Sequence, residues 1–182
     1  MLIDCPQKTL KILLILILSI YSSYLFAEIR ELQLSSKRSV AADYPCNPEI
    51  RSATNTSISV NSLQCELNDS NSYCKFIITE SNLDMGMFSK LGMGWIDTVH
   101  NIYAKQLGVY KTDIYKKFKT KLGDTIEFEM YGQQQNIKMQ IKGFWAVDGD
   151  RLLRITTLCT PLDTNYLKTQ RNIFLSTFMI VK

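Results

Sequence analysis

The side chains of this sequence whose types and spacing could do chemistry are its cysteines, one histidine and a lysine run. Of five cysteines, Cys5 precedes an apolar N-terminal stretch and four follow it: Cys46, Cys65, Cys74 and Cys159. Their spacing contains no Cys-x-x-Cys, and the sole histidine, His100, is distant from all four. A zinc site needs clustered thiolate and imidazole ligands, and a thioredoxin-like centre needs the adjacent pair, so both chemistries are excluded. What remains is the disulfide, and the N-terminus makes it the expected state. Lys8 and Lys11 precede or open the apolar run LKILLILILSI, and a small residue, Ala27, follows. That is the layout of a secretory signal peptide, residues 1–27, the alternative being an uncleaved anchor over the 17 residues from Leu10 to Phe26, and export places thiols in an oxidising compartment.

Four cysteines allow three pairings. In LQCELNDSNSYCKF, Leu63, Cys65 and Leu67 alternate along one segment, and Cys74, Phe76 and Ile78 along the next. An antiparallel hairpin turning at Asn68 to Asn71 puts all six on one face, with Cys65 opposite Cys74, within bridging distance. The expectation is therefore Cys65–Cys74 with Cys46–Cys159, the other pairings staying open.

His100 follows Asp97 by three positions, a helical spacing that lets the two meet and could orient an imidazole as a general base. No nucleophile motif such as Gly-x-Ser-x-Gly accompanies it, and the competing reading is a histidine on a helix surface. The run KKFKTK, with Tyr110 and Tyr115 nearby, could be a patch for an anionic membrane surface or nucleic acid. Export removes most nucleic-acid contexts, and pairs of Lys119 with Glu127 and Lys117 with Glu129 would neutralise that face. Asp148 and Asp150 flank Gly149, too few ligands for a calcium loop and ordinary turn chemistry instead. Met85, Met87, Phe88, Met93 and Trp95 form an adaptable apolar stretch among glycines, a candidate partner-binding lip or the underside of a helix.

The elements that must position these residues follow from periodicity. Removal of residues 1–27 leaves about 155 residues, enough for one domain with a real core. The net charge of +4 falls only to +3 when Asp4, Lys8 and Lys11 leave, which demands no polyanionic partner. Residues 28–42 are polar and read as a lead into the domain at 43–182. Pro45 and Pro48 bracket Cys46 in an extended bend. Residues 92–108 carry Ile96, Val99, Tyr103 and Leu107 at helical spacing before a glycine stop. The period then changes to two over residues 114–122, 125–131, 136–146 and 151–159, with Asp148-Gly149 as a hairpin turn. A last helix, capped by Asp163 or Thr164, runs to about Leu175 with Tyr166, Leu167, Ile173 and Phe174 inward, ahead of the apolar TFMIV. The class is α+β: a mainly antiparallel sheet of six to seven strands with two principal helices.

This order resembles the PsbP-like fold and its DcrB-like bacterial envelope proteins. The motifs that carry the resemblance are Tyr44-Pro45 in a Pro-x-x-Pro bend, Gly123 before Glu127-Phe128-Glu129, Asp148-Gly149, and Thr177-Phe178 near the end. It covers residues 40–182, though the four cysteines depart from most of that group. Relatives of the fold are photosystem accessory subunits, a nuclear-transport factor, chaperones for membrane segments of toxins, and envelope proteins. The resemblance implies a binding or assembly module with no catalytic motif to transfer. The expectation is a non-enzymatic exported accessory, scaffolding or binding protein of the bacterial cell envelope, periplasmic, with envelope protein partners and no cofactor, metal or nucleic acid. The alternatives are a secreted effector or inhibitor and an envelope-polymer hydrolase with an unrecognised site.

Overall fold

The computed structural model describes residues 29–35, 38–54, 59–69, 71–82, 94–120, 123–148, 151–160 and 164–181. Alternating apolar and polar residues dominate this chain, and they form ten strands: β1 (Arg30–Ser35), β2 (Arg38–Ala42), β3 (Glu49–Thr54), β4 (Ser59–Asp69), β5 (Ser72–Asn82), β6 (Val109–Thr120), β7 (Gly123–Gln134), β8 (Ile137–Asp148), β9 (Arg151–Cys159) and β10 (Met179–Val181). Helix α1 spans Gly94–Gln106 and α2 spans Asn165–Thr177. Seven strands make an antiparallel sheet in the order β3-β4-β5-β9-β8-β7-β6, and β1-β2-β10 make a second, three-stranded sheet. The expected pattern of a mainly antiparallel sheet with one mid-chain and one C-terminal helix is present, and the main sheet has seven strands.

Two cores sit on opposite faces of the main sheet and toward opposite ends of it. On one face, Leu63, Phe76, Ile78, Leu153 and Ile155 from β4, β5 and β9 meet Leu34 and Val40 from the small sheet and Leu167 and Phe174 from α2. Phe174 lies edge-on to Tyr44 and Phe76, with ring centroids 5.1 and 5.3 Å apart. On the other face, Ile96 and Tyr103 of α1 close over Ile126, Phe128, Met130, Ile141 and Trp145 from β7 and β8. Each such fully buried side chain stabilises the fold by about 1.5–3 kcal/mol relative to exposure. The β4–β5 end of the α1 face has no comparable cover among the described elements. Ser62, Gln64, Lys75, Ile77 and Leu158 there are only half-buried.

Helix ends follow the sequence. Gly108 takes φ +59° immediately after α1, and a Cβ there would lie 2.5 Å from the Gln133 carbonyl oxygen, so only glycine turns the chain into β6 at this point. Thr164 caps α2 and accepts a hydrogen bond from the Leu167 amide at 3.3 Å. Leu167 and Phe174 face inward as expected, whereas Tyr166 is exposed and Arg171 takes a buried place instead.

Residues 30–42, expected as a lead, belong to the fold. They form β1 and β2, which bury Leu34, Val40, Ala41 and Ala42. The β4–β5 hairpin keeps its expected face but not its expected partners. It turns between Asp69 and Ser72, so Cys65 lies opposite Phe76 and Leu67 opposite Cys74. Pairing β3 with β4 sets Glu49 opposite Gln64, which carries the preceding bend back over β4. The disulfides are accordingly Cys46–Cys65, with Cα atoms 5.9 Å apart, and Cys74–Cys159, whose residues face each other across β5 and β9. Both expected bridges are thus corrected. A slip of two residues preserves which side chains are buried while changing every partner.

Candidate functional site

Helix α1 packs one face on the sheet, and the i, i+4, i+7 positions Ile96, His100 and Tyr103 point inward. His100 is therefore buried, not on the helix surface. Its ring centroid lies 4.7 Å from that of Tyr115, tilted, and 5.4 Å from that of Phe128, edge-on, and its Nδ1 has no hydrogen-bond partner among the described residues. Asp97 does not orient it. That carboxylate accepts hydrogen bonds from the Tyr115 hydroxyl and from Lys117 Nζ at 2.6 Å. The Lys117 and Tyr115 hydrogen bonds hold Asp97 below the usual carboxylate range. Burial lowers the His100 pKa, with Asp97 opposing in part, so the imidazole is neutral at pH 7. Burial and then Asp97 raise the Tyr115 phenol, which makes it a poor nucleophile. The four groups read as a polar clasp between α1 and β6.

The lysine run sits on β6, an edge strand exposed along nearly its whole length. Its expected pairs do not form. The strand turns between Thr120 and Gly123, which sets Lys117 opposite Ile126, Lys119 opposite Asp124 and Lys116 opposite Glu127. Lys117 goes to Asp97, and Glu129 goes to Lys142. Two register shifts in β6 and its lysines hinder pairing with another chain, the usual protection of an edge.

A second polar cluster lies on the α2 face. The buried Glu129 carboxylate takes Lys142 Nζ at 2.9 Å, the Tyr131 hydroxyl at 3.1 Å and the Gln140 amide. Gln140 Oε1 in turn accepts from Arg171 Nη1 of α2 at 2.8 Å. Burial pushes the Glu129 pKa up, but the hydrogen bonds from Lys142 and Gln140 outweigh it and leave the group lowered. A carboxylate held ionised by this many donors has no proton to exchange near neutrality, so the cluster locks α2 to the sheet. A cavity of about 230 Å³ beside it is lined by Glu129, Lys142, Phe144 and Leu175.

The third arrangement lies in the part of the α1 face that no other described element covers. Two adjoining grooves of about 400 and 380 Å³ share Val60, Thr79 and Arg154. The first runs along α1 and is walled by Val99, Ile102, Tyr103, Trp145 and Leu152; the second continues down the strands past Ile77, Lys75, Tyr73 and Leu158. Arg154 stands where they meet. Its guanidinium lies 4.7 Å from the Tyr103 ring centroid and 5.7 Å from that of Trp145, and Nη2 donates to Thr79 Oγ1 at 3.2 Å. The two rings stand at 83° to each other, so they flank the cation from two sides. Among the described residues no aspartate or glutamate lines either groove. Lys75 pairs with Glu66 at 3.0 Å, whereas Arg154 has no carboxylate partner among the described residues. Arg154 Nε and Trp145 Nε1 are buried donors without acceptors. Such a groove can hold an apolar body with one anionic end.

Of the expected partner-binding residues, Met85, Met87, Phe88 and Met93 lie outside the described residues, and Trp95 stands in the first turn of α1 with its side chain outside them. Among the described residues no group of three or more His, Cys, Asp or Glu side chains could hold a metal ion. The sequence reading passed over Arg154. Its signal was an arginine inside the apolar strand LLRIT, where strand alternation sends it to the same face as Leu152 and Leu158.

No protein-family profile matches the chain, and no curated protein matches it. Among solved structures, the chain is similar to a Pseudomonas aeruginosa protein of unknown function described as a candidate regulator. The identity is 12%, the match covers 80% of this chain and 92% of that one, and the TM-score is 0.48. Both disulfides are formed, and no helix among the described residues is long and apolar enough to cross a membrane, which fits an exported protein.

Proposed function

We propose that the protein is a non-enzymatic accessory or binding protein of the bacterial cell envelope, of the PsbP-like, DcrB-like type, exported by residues 1–27 and acting by surface recognition. The observation that carries this reading is the half-open sheet face beside α1. A sheet pinned by two disulfides leaves Val60, Ile77 and Leu158 half-exposed along a trough, while its polar clusters are consumed in holding helices to strands. The bend at residues 45–48, the β4–β5 hairpin, α1, the two hairpins of β6 to β9 and α2 follow the order of that fold, which supports the family. The neutral, unoriented His100 and the ionised Glu129 support binding over hydrolysis.

The test is to tag the C-terminus, crosslink intact cells and identify what co-purifies from the envelope fraction. A defined set of envelope proteins is expected, lost on Ile77→Glu in the trough and retained on Tyr166→Ala, which is exposed on α2. Recovery of nothing above background, or recovery indifferent to Ile77, overturns the reading.

A further inference from the structure

The groove at Arg154 has a chemistry narrower than surface recognition requires. Its upper part, along α1, presents mainly apolar surface from Val60, Val99, Ile102, Tyr103, Trp145 and Leu152, with Ser81 and Gln106 also in the wall. Ile102, 54% exposed on a helix whose Ile96 and Tyr103 face inward, forms part of this wall. Where the two grooves meet, Arg154 Nε–H and the Trp145 indole N–H are buried donors without acceptors among the described residues. Donors without acceptors, together with one cation that lacks a carboxylate partner among the described residues, complement a single negative charge. The guanidinium fork, flanked by the rings of Tyr103 and Trp145, suits the two oxygens of a carboxylate, and one cation matches a monoanion better than a dianion. A volume of about 400 Å³ is in the range that small-molecule ligands occupy.

We infer that this groove is a binding site for a single-chain amphiphile with a carboxylate head, a long-chain fatty acid in chemical class. The carboxylate sits on Arg154, and the chain lies along α1 between Ile102 and Leu152. The inference rests on the reading of the chain as a binder but not on any protein partner.

The probes are decanoate, dodecanoate and decanol, titrated calorimetrically into the purified, disulfide-bonded protein below their aggregation concentrations. Dodecanoate should bind tighter than decanoate by about two- to fourfold per added methylene, the upper figure being that of full burial. Decanol, which keeps the chain and loses the charge, should bind about ten- to a hundredfold more weakly than decanoate. Arg154→Gln should bring decanoate down to the level of decanol and leave decanol unchanged. Should that variant fail to fold, Ile102→Asp on the exposed helix surface carries the test, because it must weaken dodecanoate binding. Equal affinity for decanol and decanoate, no gain with chain length, or no saturable binding of either acid overturns the inference. Envelope partners recovered by crosslinking together with no acid binding would remove this site and leave the proposed function standing. The reverse outcome would do the opposite.

Discussion

The disulfide map makes the sharpest prediction, because two pairings of the same four cysteines distribute loop closure differently. Cys46–Cys65 closes a segment with a sequence separation of 19, and Cys74–Cys159 one of 85. On the chain-entropy account these are worth about 3.3 and about 4.6 kcal/mol. At roughly 2–4 °C per kcal/mol for a domain of this size, Cys46→Ala with Cys65→Ala should lower Tm by about 7–13 °C, and Cys74→Ala with Cys159→Ala by about 9–18 °C. The decisive variant crosses the pairs. Cys46→Ala with Cys159→Ala breaks both bridges and removes about 8 kcal/mol, within the whole stability of an ordinary domain, so it should not stay folded. If Cys46 were joined to Cys159, that same variant would lose one bridge only and melt cooperatively. Thermal unfolding followed by circular dichroism, with peptide mapping of the unreduced protein, distinguishes the two. A Cys65–Cys74 peptide, or a crossed variant as stable as either single-bridge variant, refutes the β4–β5 register described above.

Three further perturbations test the fold and the buried histidine. The β7–β8 turn places Gln135 at φ +49° and Asn136 at φ +66°, so Gln135→Asn should raise stability by about 0.5–1 kcal/mol, part of the ~1–2 kcal/mol that a left-handed residue costs; an unchanged or lower Tm would count against the turn. Gly143 on β8 lies so close to β9 that a Cβ would come 2.1 Å from the Ile155 carbonyl oxygen, and Gly143→Ala should cost about 3 kcal/mol in chemical denaturation, with a loss under about 1 contradicting the close approach. His100 lies near Asp97 and against Tyr115 and Phe128, and its lowered pKa means that the unfolded chain takes up a proton on this side chain before the folded one does. Stability should therefore fall as pH drops below about 6.5, and His100→Phe should flatten that limb while leaving stability at pH 8 nearly intact; parallel pH curves for the two proteins would be the contrary result.

Register separates what the sequence disclosed from what it hid. Alternation assigned Leu63, Cys65, Phe76 and Ile78 to one buried face, and all four are there, because strand period alone decides face. Partner choice depends on where the turn falls. At β4–β5 the turn lies between Asp69 and Ser72 instead of one position earlier, and that displacement exchanges every cross-strand partner for the next one on the same face. At β6–β7 the error was of a different kind. Phe118, Tyr115 and Tyr110 are all largely exposed on an edge strand, so its alternation carried no information about an inner face, and two register shifts removed what remained. The N-terminal strands were missed for a related reason: in EIRELQLSSKRSVAA only Leu34, Val40 and Ala42 join the core, with Leu32 at its edge, too few apolar residues to announce a sheet.

The groove was hidden by topology more than by composition. Val60, Thr79, Trp145 and Arg154 come from β4, β5, β8 and β9, and they meet because β9 inserts beside β5 and brings β8 with it. Taken singly, each is an ordinary strand residue. The feature that singles them out is charge accounting within the fold: Glu66 answers Lys75, Asp97 answers Lys117, Glu129 answers Lys142, Glu80 answers Arg151, and no carboxylate among the described residues answers Arg154. Arg154 is half-buried beside two rings in a mainly apolar groove, and a charge withdrawn from water is costly without a partner. A ligand that brings the missing charge and fills the apolar wall relieves both costs at once. For that reason the carboxylate and the chain should contribute through separate residues, Arg154 for one and Ile102 for the other.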